Sequence, residues 1–385
     1  MQNVTAPNVD VLDNPDHMMK KALLFIPGLY LVLISSALLT IGIGIAVLWV
    51  IEYLAPPVIS AIMLYFAFAV GIGIIFGVIA VIHGLWRSIW RPSSIEPAIR
   101  IDIENEPALF DFIKGIFMRM QCDPPEHVVL QADSSFYVTD SELTVINGKV
   151  KGRILAISYP LLNHLTLNEL RSIIAHEAAH YTGWDVEYSR RVYPVYVGIQ
   201  TVLSHSGKTN FHTNSDFGPL TSIPSILPRY ALRTYLKWFD SYNKKISKAR
   251  EQRADLLATI YCGSGSYSSA LKKTVSIGRV FEQIAQNQLR GQYRNGQGMI
   301  DYYRVFDDEL QNYQGLVTQT LEFALNQIPT PKDTHPTLNK RLSYVPVINE
   351  KYQEHQLSKC LLKDQRYGVQ LTEAYISYLN TGRIQ

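Results

Sequence analysis

The sequence predicts an α+β, mainly helical protein, with a hairpin of two transmembrane helices ahead of a soluble domain that holds a small antiparallel sheet. Three observations predict it. Between Ala22 and Trp86 the only formal charge is Glu52. Short segments of β character cluster between residues 128 and 158. Helical periodicity then returns at Leu167 and dominates the rest of the chain.

The hairpin comes first. Ala22 to Ile51 and Tyr53 to Trp86 are both free of Asp, Glu, Lys and Arg. A helix of ~30 residues is about 45 Å long, against a hydrocarbon core of about 30 Å. Either run can cross a bilayer. Pro56-Pro57, next to Glu52, marks the turn. The apolar stretch is too long for a cleaved leader, and a second span comes at once, so the segment reads as an anchor. Lys20 and Lys21 precede the first span, Arg87, Arg91 and Arg100 come after the second, and the turn has neither Lys nor Arg. Both ends are therefore expected on the cytoplasmic side. Trp49, Trp86 and Trp90 fall at interfacial depth, and Gly73 and Gly77, with Ser36, Thr40 and Gly44, offer small faces for close helix approach.

The soluble part reads in order. Residues 1–21 form a polar lead, and the two spans occupy 22–90. Pro107 to Met120 is a helix with Leu109, Phe112, Ile113, Ile116 and Phe117 on one stripe. Strands are expected at Val128–Gln131, Phe136–Val138, Leu143–Ile146 and Arg153–Ser158, with Asn147-Gly148 as the turn between the last two. Thr166 and Glu169 fit a capping box, opening a helix that runs through His180 and ends near Gly183. Residues 204–228 read as a loop, Arg229 to Tyr261 as a long helix and Gly291 to Gly298 as a break. The domain closes near residue 345, with a helical extension over 346–385.

Composition excludes several classes. Lys and Arg total 36 against 33 acids, with no long basic run, so no nucleic-acid partner is expected. Cys122, Cys262 and Cys360 are three, far apart, and suit a reducing compartment. Gly263-Ser-Gly-Ser lacks the Lys-Ser/Thr of a phosphate loop and reads as a connector.

The chemistry lies in His176-Glu177-Ala178-Ala179-His180. Histidines four apart lie one above the other on a helix and can share one ion. Glu177 then stands beside the metal, where it can take a proton from activated water. Catalytic zinc needs a third protein ligand, and Glu251 is the best candidate, with Asp255 four residues on along the same face to hold a ligand histidine. Alone, that stretch is an ordinary charged face among Lys244, Lys245, Lys248 and Arg250; beside an incomplete metal motif the balance reverses.

This series, His-Glu-Ala-Ala-His, then Glu251-Gln-Arg-Ala-Asp255, then Thr334-His335-Pro336 with Arg341, resembles the membrane metallopeptidase family of the HtpX heat-shock protease and the CAAX prenyl protease. The resemblance covers about residues 100–345. It implies a zincin-like metallopeptidase domain over 91–345 with one Zn2+ per chain, held by His176, His180 and Glu251. It implies Glu177 as the base, Asp255 in support, and His335 and Arg341 as catalytic or substrate contacts. The family's substrate-binding Asn-Ala pair is replaced here by Ser134-Ser135-Phe136-Tyr137. Ser135 and Phe136 are the expected substrate contacts, through main-chain pairing that needs no particular side chain. A tyrosine is an expected oxyanion donor, with Tyr302 and Tyr303 among the candidates.

The reading is an endopeptidase on the cytoplasmic face of a membrane, a bacterial inner membrane being the expected setting, with membrane-associated proteins or peptides as substrates and the bilayer as partner. Membrane-protein quality control is the role the family analogy implies. The alternative is a non-enzymatic or latent membrane scaffold that retains a zinc site. Four spans, with a second pair in 190–236, are the alternative topology.

Overall fold

The computed structural model describes residues 9–54, 94–192, 195–196, 226–295, 301–330, 335–364 and 366–384. The chain divides into two compact units, one of Met1–Pro15, Pro92–Val186 and Ser247–Gln385, the other of Asp16–Arg91 and Glu187–Ile246.

α1 (Val9–Ala22), which belongs to the second unit from Asp16 onward, leads into α2 (Phe25–Leu54). The expected polar lead is thus helical from Val9 onward. One helical stretch, Asn14–Ala46, is long and apolar enough to cross a membrane. Leu31, Leu38, Ile45 and Trp49 of α2 are more than 60% exposed. The second arm of the expected hairpin, its turn and its glycine pair lie outside the described residues, as do most of residues 190–225. Phe25 stacks on Tyr235 and Phe239 of α7 (Ile226–Cys262), the helix that comes in sequence after the short α6 (Asp185–Arg191). Tyr235 and Tyr242 donate to the carbonyls of Phe25 and Met18. Gly28 lets the Tyr235 hydroxyl approach, since a Cβ there would collide with it.

The other unit carries two small sheets. One has strand order β2 (Ala98–Ile101), β3 (His127–Gln131), β7 (Ile154–Ser158), β4 (Tyr137–Thr139). The other has β1 (Ser94–Ile95), β5 (Leu143–Val145), β6 (Gly148–Val150). Both are mixed, which corrects the expected antiparallel sheet. β3 runs parallel to β7, with Val129 opposite Ala156, and β1 runs parallel to β5. The reason is where the chain turns. Asn147-Gly148 closes a tight hairpin between β5 and the unforeseen β6, not between β5 and β7. The next strand is then free to insert between β3 and β4. Every residue of β7 is buried, as its continuous apolar run Ile-Leu-Ala-Ile requires of a central strand. The Asn147 side chain pairs with both backbone groups of Arg100, at 2.9 and 2.8 Å.

Helices cover the sheet. α3 (Pro107–Arg119) buries Leu109, Ile113, Ile116 and Phe117, the predicted stripe. After the short α4 (Tyr159–Leu162), α5 (Leu167–Ala179) starts from a complete capping box: Thr166 Oγ1 accepts from Glu169 N, and Glu169 Oε2 accepts from Thr166 N. Leu170, Ile174, Ala175 and Ala178 point into the core. α8 (Ser264–Asn295) packs along α5 and continues through Gly291; residues 296–298 of the expected break lie outside the described residues. Lys273 and Ser269 of α8 grip the capping carboxylate of Glu169 at 2.8 and 2.6 Å. α9 (Tyr302–Glu309), α10 (Gln314–Asn326), α11 (Leu338–Tyr344) and α12 (Tyr367–Thr381) complete the unit. Tyr367, Leu371 and Tyr375 of α12 belong to the same buried cluster as Leu109 and Ile174.

Candidate metal centre

The site rests on two helices. The last turn of α5 holds His176 and Glu177, both under 9% exposed, and His180 is its C-cap. The middle of α7 brings Glu251 and Asp255 opposite. The imidazoles stand edge to face, with centroids 5.0 Å apart. His176 Nε2 lies 3.5 Å from Glu251 Oε2, and His180 Nε2 lies 3.8 Å from Glu251 Oε1. One donor atom from each of the three residues falls within 4.8 Å of the others. The cluster can hold a metal ion.

The far nitrogens show why Nε2 is the free one. His176 Nδ1 lies 3.1 Å from Asp255 Oδ1, and His180 Nδ1 lies 3.1 Å from Asp185 Oδ2. A carboxylate at Nδ1 draws the proton there and leaves the Nε2 lone pair facing its partner ring and Glu251. Each aspartate is in turn neutralised by arginine. Arg341 reaches Asp255 through Nε at 3.1 Å and Nη2 at 2.6 Å. Asp185 takes Arg253 Nη2 at 2.6 Å and an ion pair with Arg250 Nε at 2.9 Å. Tyr267 adds a hydroxyl that donates to Asp255 Oδ1 at 2.5 Å and lies 3.2 Å from His176 Nδ1.

Electrostatics fit a cation. Burial works against a charged His176, but Asp255 and Glu251 outweigh it and push the imidazole up to about 9. Glu251 is buried as well, yet its contacts with His176 and His335 hold it well below the usual carboxylate range. Asp255 and Asp185 are also depressed: burial opposes this, and Arg341 and His176 in one case, His180 and the two arginines in the other, overcome it. A cation seated here would take over the role of the extra proton. Two imidazoles and one carboxylate are also the donor set of a catalytic zinc site that keeps a position open. Glu177 moves the other way. Burial raises its carboxyl above the ordinary glutamate value, which suits a group that must accept and then release a proton.

Of the residues singled out from sequence, the structure brings His176, His180, Glu251 and Asp255 together, and Glu177 is next to His176 on α5. His335 joins them, with Nδ1 3.2 Å from Glu251 Oε1, and is exposed. Arg341 is committed to Asp255 and also lies 3.5 Å from Glu251 Oε2 and from His176 Nε2. Ser135 and Phe136 do not enter the cluster. They precede β4, with Ser135 N donating to Asp133 Oδ1 and Phe136 packed against the core. Tyr302 and Tyr303 are core residues, the latter bonded to the Ala132 carbonyl at 2.9 Å. The Gly263 loop holds the carboxylate of Glu350, which accepts from Gly265 N and Ser266 N at 2.7 and 3.1 Å.

Asp185, Tyr267 and the arginine pair were missed. Two signals were present: an acid five residues after His180, and arginines three apart in Arg250-Glu-Gln-Arg253, which face one partner on a helix.

A largely buried His-His-Glu cluster able to hold a metal, with an acid beside its first histidine, is the arrangement of a metallopeptidase. A family model, Peptidase family M48, matches residues 145–346, and the chain belongs to that family. The match spans every residue of the cluster, from the end of β5 to just past α11. No curated protein and no solved structure matches the chain.

Proposed function

We propose that the protein is a membrane-anchored zinc endopeptidase that cleaves proteins at or near the bilayer surface. The observation that carries the reading is the ligand cluster, with its two histidines turned inward by Asp255 and Asp185 and a buried acid, Glu177, next to it. Zinc held by His176, His180 and Glu251 supplies Lewis acidity toward water and the substrate carbonyl. Glu177 accepts a proton at its carboxylate as water attacks, and returns it to the leaving amine. Burial of Glu177 supports this, because it raises the affinity of the carboxylate for a proton.

The sheet suggests how substrate binds. Among the described residues, β4 is one of the two edge strands of its sheet. Tyr181, one residue after His180, reaches the Thr139 and Ile154 carbonyls at 3.3 and 3.4 Å. An extended peptide added to β4 would therefore lie beside the metal helix, with Ser135 and Phe136 at the strand's entrance. His335 is the polar contact available to a reacting carbonyl, and Arg341 acts through Asp255. The apolar α2 supports a membrane anchor, with the peptidase unit on the cytoplasmic side. Damaged or misassembled membrane proteins are the substrates this location favours.

The test is cleavage of an unfolded, membrane-tethered reporter by the full chain in vesicles, wild type against Glu177→Gln. The expected result is equal zinc content with cleavage by wild type alone. Zinc binding without cleavage by either protein would replace this reading with a scaffold.

A further inference from the structure

We propose that a cavity beside the metal cluster is a subsite for a carboxylate carried by the substrate, and that Arg279 sets this preference. The proposal rests on the peptidase reading above for its catalytic consequence, but not for binding.

The cavity measures about 260 Å³ and lies where α8, the end of α10 and the start of α11 converge. His335 and Arg341 are among its lining residues. Both reach the cluster directly, His335 at 3.2 Å from Glu251 and Arg341 at 3.5 Å from His176 and Glu251. A group in the cavity is thus a neighbour of the bond being cut. Sites for whole small molecules run to about 300–1,000 Å³. This one is smaller and suits a single side chain or a chain end.

Its chemistry selects the occupant. Arg279, one helical turn after Val275 in α8, is exposed at the wall. Among the described residues its guanidinium has no carboxylate partner, in contrast to Arg341, which is fully engaged with Asp255. The amide of Gln327 and the hydroxyl of Thr337 line the same cavity and also have no hydrogen-bond partner among the described residues; Thr337 begins α11 without capping it. No Asp or Glu lines the cavity among the described residues. Among the described residues, a guanidinium without a carboxylate partner and two hydrogen-bonding groups without a partner meet around a space walled by Val275 and Leu338. That combination fits an acidic side chain, with its methylenes on the apolar wall and its oxygens on Arg279, Gln327 and Thr337. A peptide's terminal carboxylate offers the same chemistry.

The test uses the full, zinc-loaded chain in detergent and a series of fluorescent peptides. One residue near the scissile bond is Glu, Gln or Lys with an amidated end; a further peptide has no acidic side chain and a free carboxyl end. Cleavage efficiency, kcat/KM, and binding by fluorescence anisotropy are both measured, for wild type, Arg279→Lys and Arg279→Glu. At one position, wild type is expected to favour Glu over Gln about tenfold, a single charge-assisted contact. Arg279→Lys should keep most of that ratio and Arg279→Glu should invert it toward Lys, with binding changing in the same order. If the free-ended peptide alone responds to Arg279, the carboxylate is the chain terminus. If neither binding nor cleavage preference changes in Arg279→Glu, the subsite is wrong. Arg279-dependent binding with no cleavage by wild type would instead overturn the peptidase reading and leave the subsite standing.

Discussion

The two histidines of the cluster are supported in different ways. His180 rests on Asp185, and Asp185 has two arginines, Arg250 and Arg253, both from α7. His176 rests on Asp255, and Asp255 depends on one arginine, Arg341, from α11, and one hydroxyl, Tyr267, from α8. The first support is redundant. The second is not, and it ties three elements remote in sequence to one buried carboxylate that is 0% exposed. A buried charge left without its partner is more damaging than a pair never made, so the two sides should respond very differently to the loss of one arginine.

The largest effect is expected from Arg341→Leu. It strands Asp255 in the core and should lower stability by about 3–5 kcal/mol, read by chemical unfolding of the full chain. A loss below about 1 kcal/mol would mean that water or another cation reaches Asp255. Asp255→Asn comes next. It keeps the shape but weakens the hold on His176 Nδ1, and should reduce zinc affinity about 10–100-fold, measured by competition with a chelator. Asp185→Asn should act similarly on His180 if the two supports serve one ion. Arg250→Leu should be milder than Arg341→Leu, because Arg253 remains, and equal losses would remove the asymmetry. Smallest is Tyr267→Phe, which removes one of three donors to Asp255 and should cost about 1 kcal/mol.

The pH dependence sharpens the same comparison. His176 is raised to about 9 from an ordinary imidazole near 6.5. A group raised on folding contributes stability that is complete below about 6.5 and lost as pH climbs through about 9. With a chelator present, the protein should therefore lose stability across that window. With zinc, the slope should reverse, because the metal competes with protons for the same nitrogens and binds better as pH rises. Melting temperatures from pH 6 to 9, with and without chelator, check this; parallel curves would mean that the metal does not displace the His176 proton.

Much of the site was legible because its parts are periodic. His176 and His180, and Glu251 and Asp255, are each four apart on a helix, and the capping box fixed where α5 begins. Asp185 and Tyr267 escaped because each is a single residue outside any period, brought in by the turn after α5 and by the first turn of α8. The direction of β7 escaped for a related reason. Its apolar run announces a buried strand, but pairing partners are decided between distant segments, and Asn147-Gly148 speaks only for the hairpin it closes.

The central claim is that one zinc ion is held through the Nε2 atoms of His176 and His180 and the carboxylate of Glu251. Metal titration of the full chain, with X-ray absorption at the zinc edge, tests it most directly. The expected result is one zinc per chain with two imidazole nitrogens at about 2.0–2.1 Å and oxygen in the remaining positions, and loss of one imidazole in His180→Ala. A spectrum with sulfur or a single imidazole in the wild type, or one unchanged in His180→Ala, would contradict it.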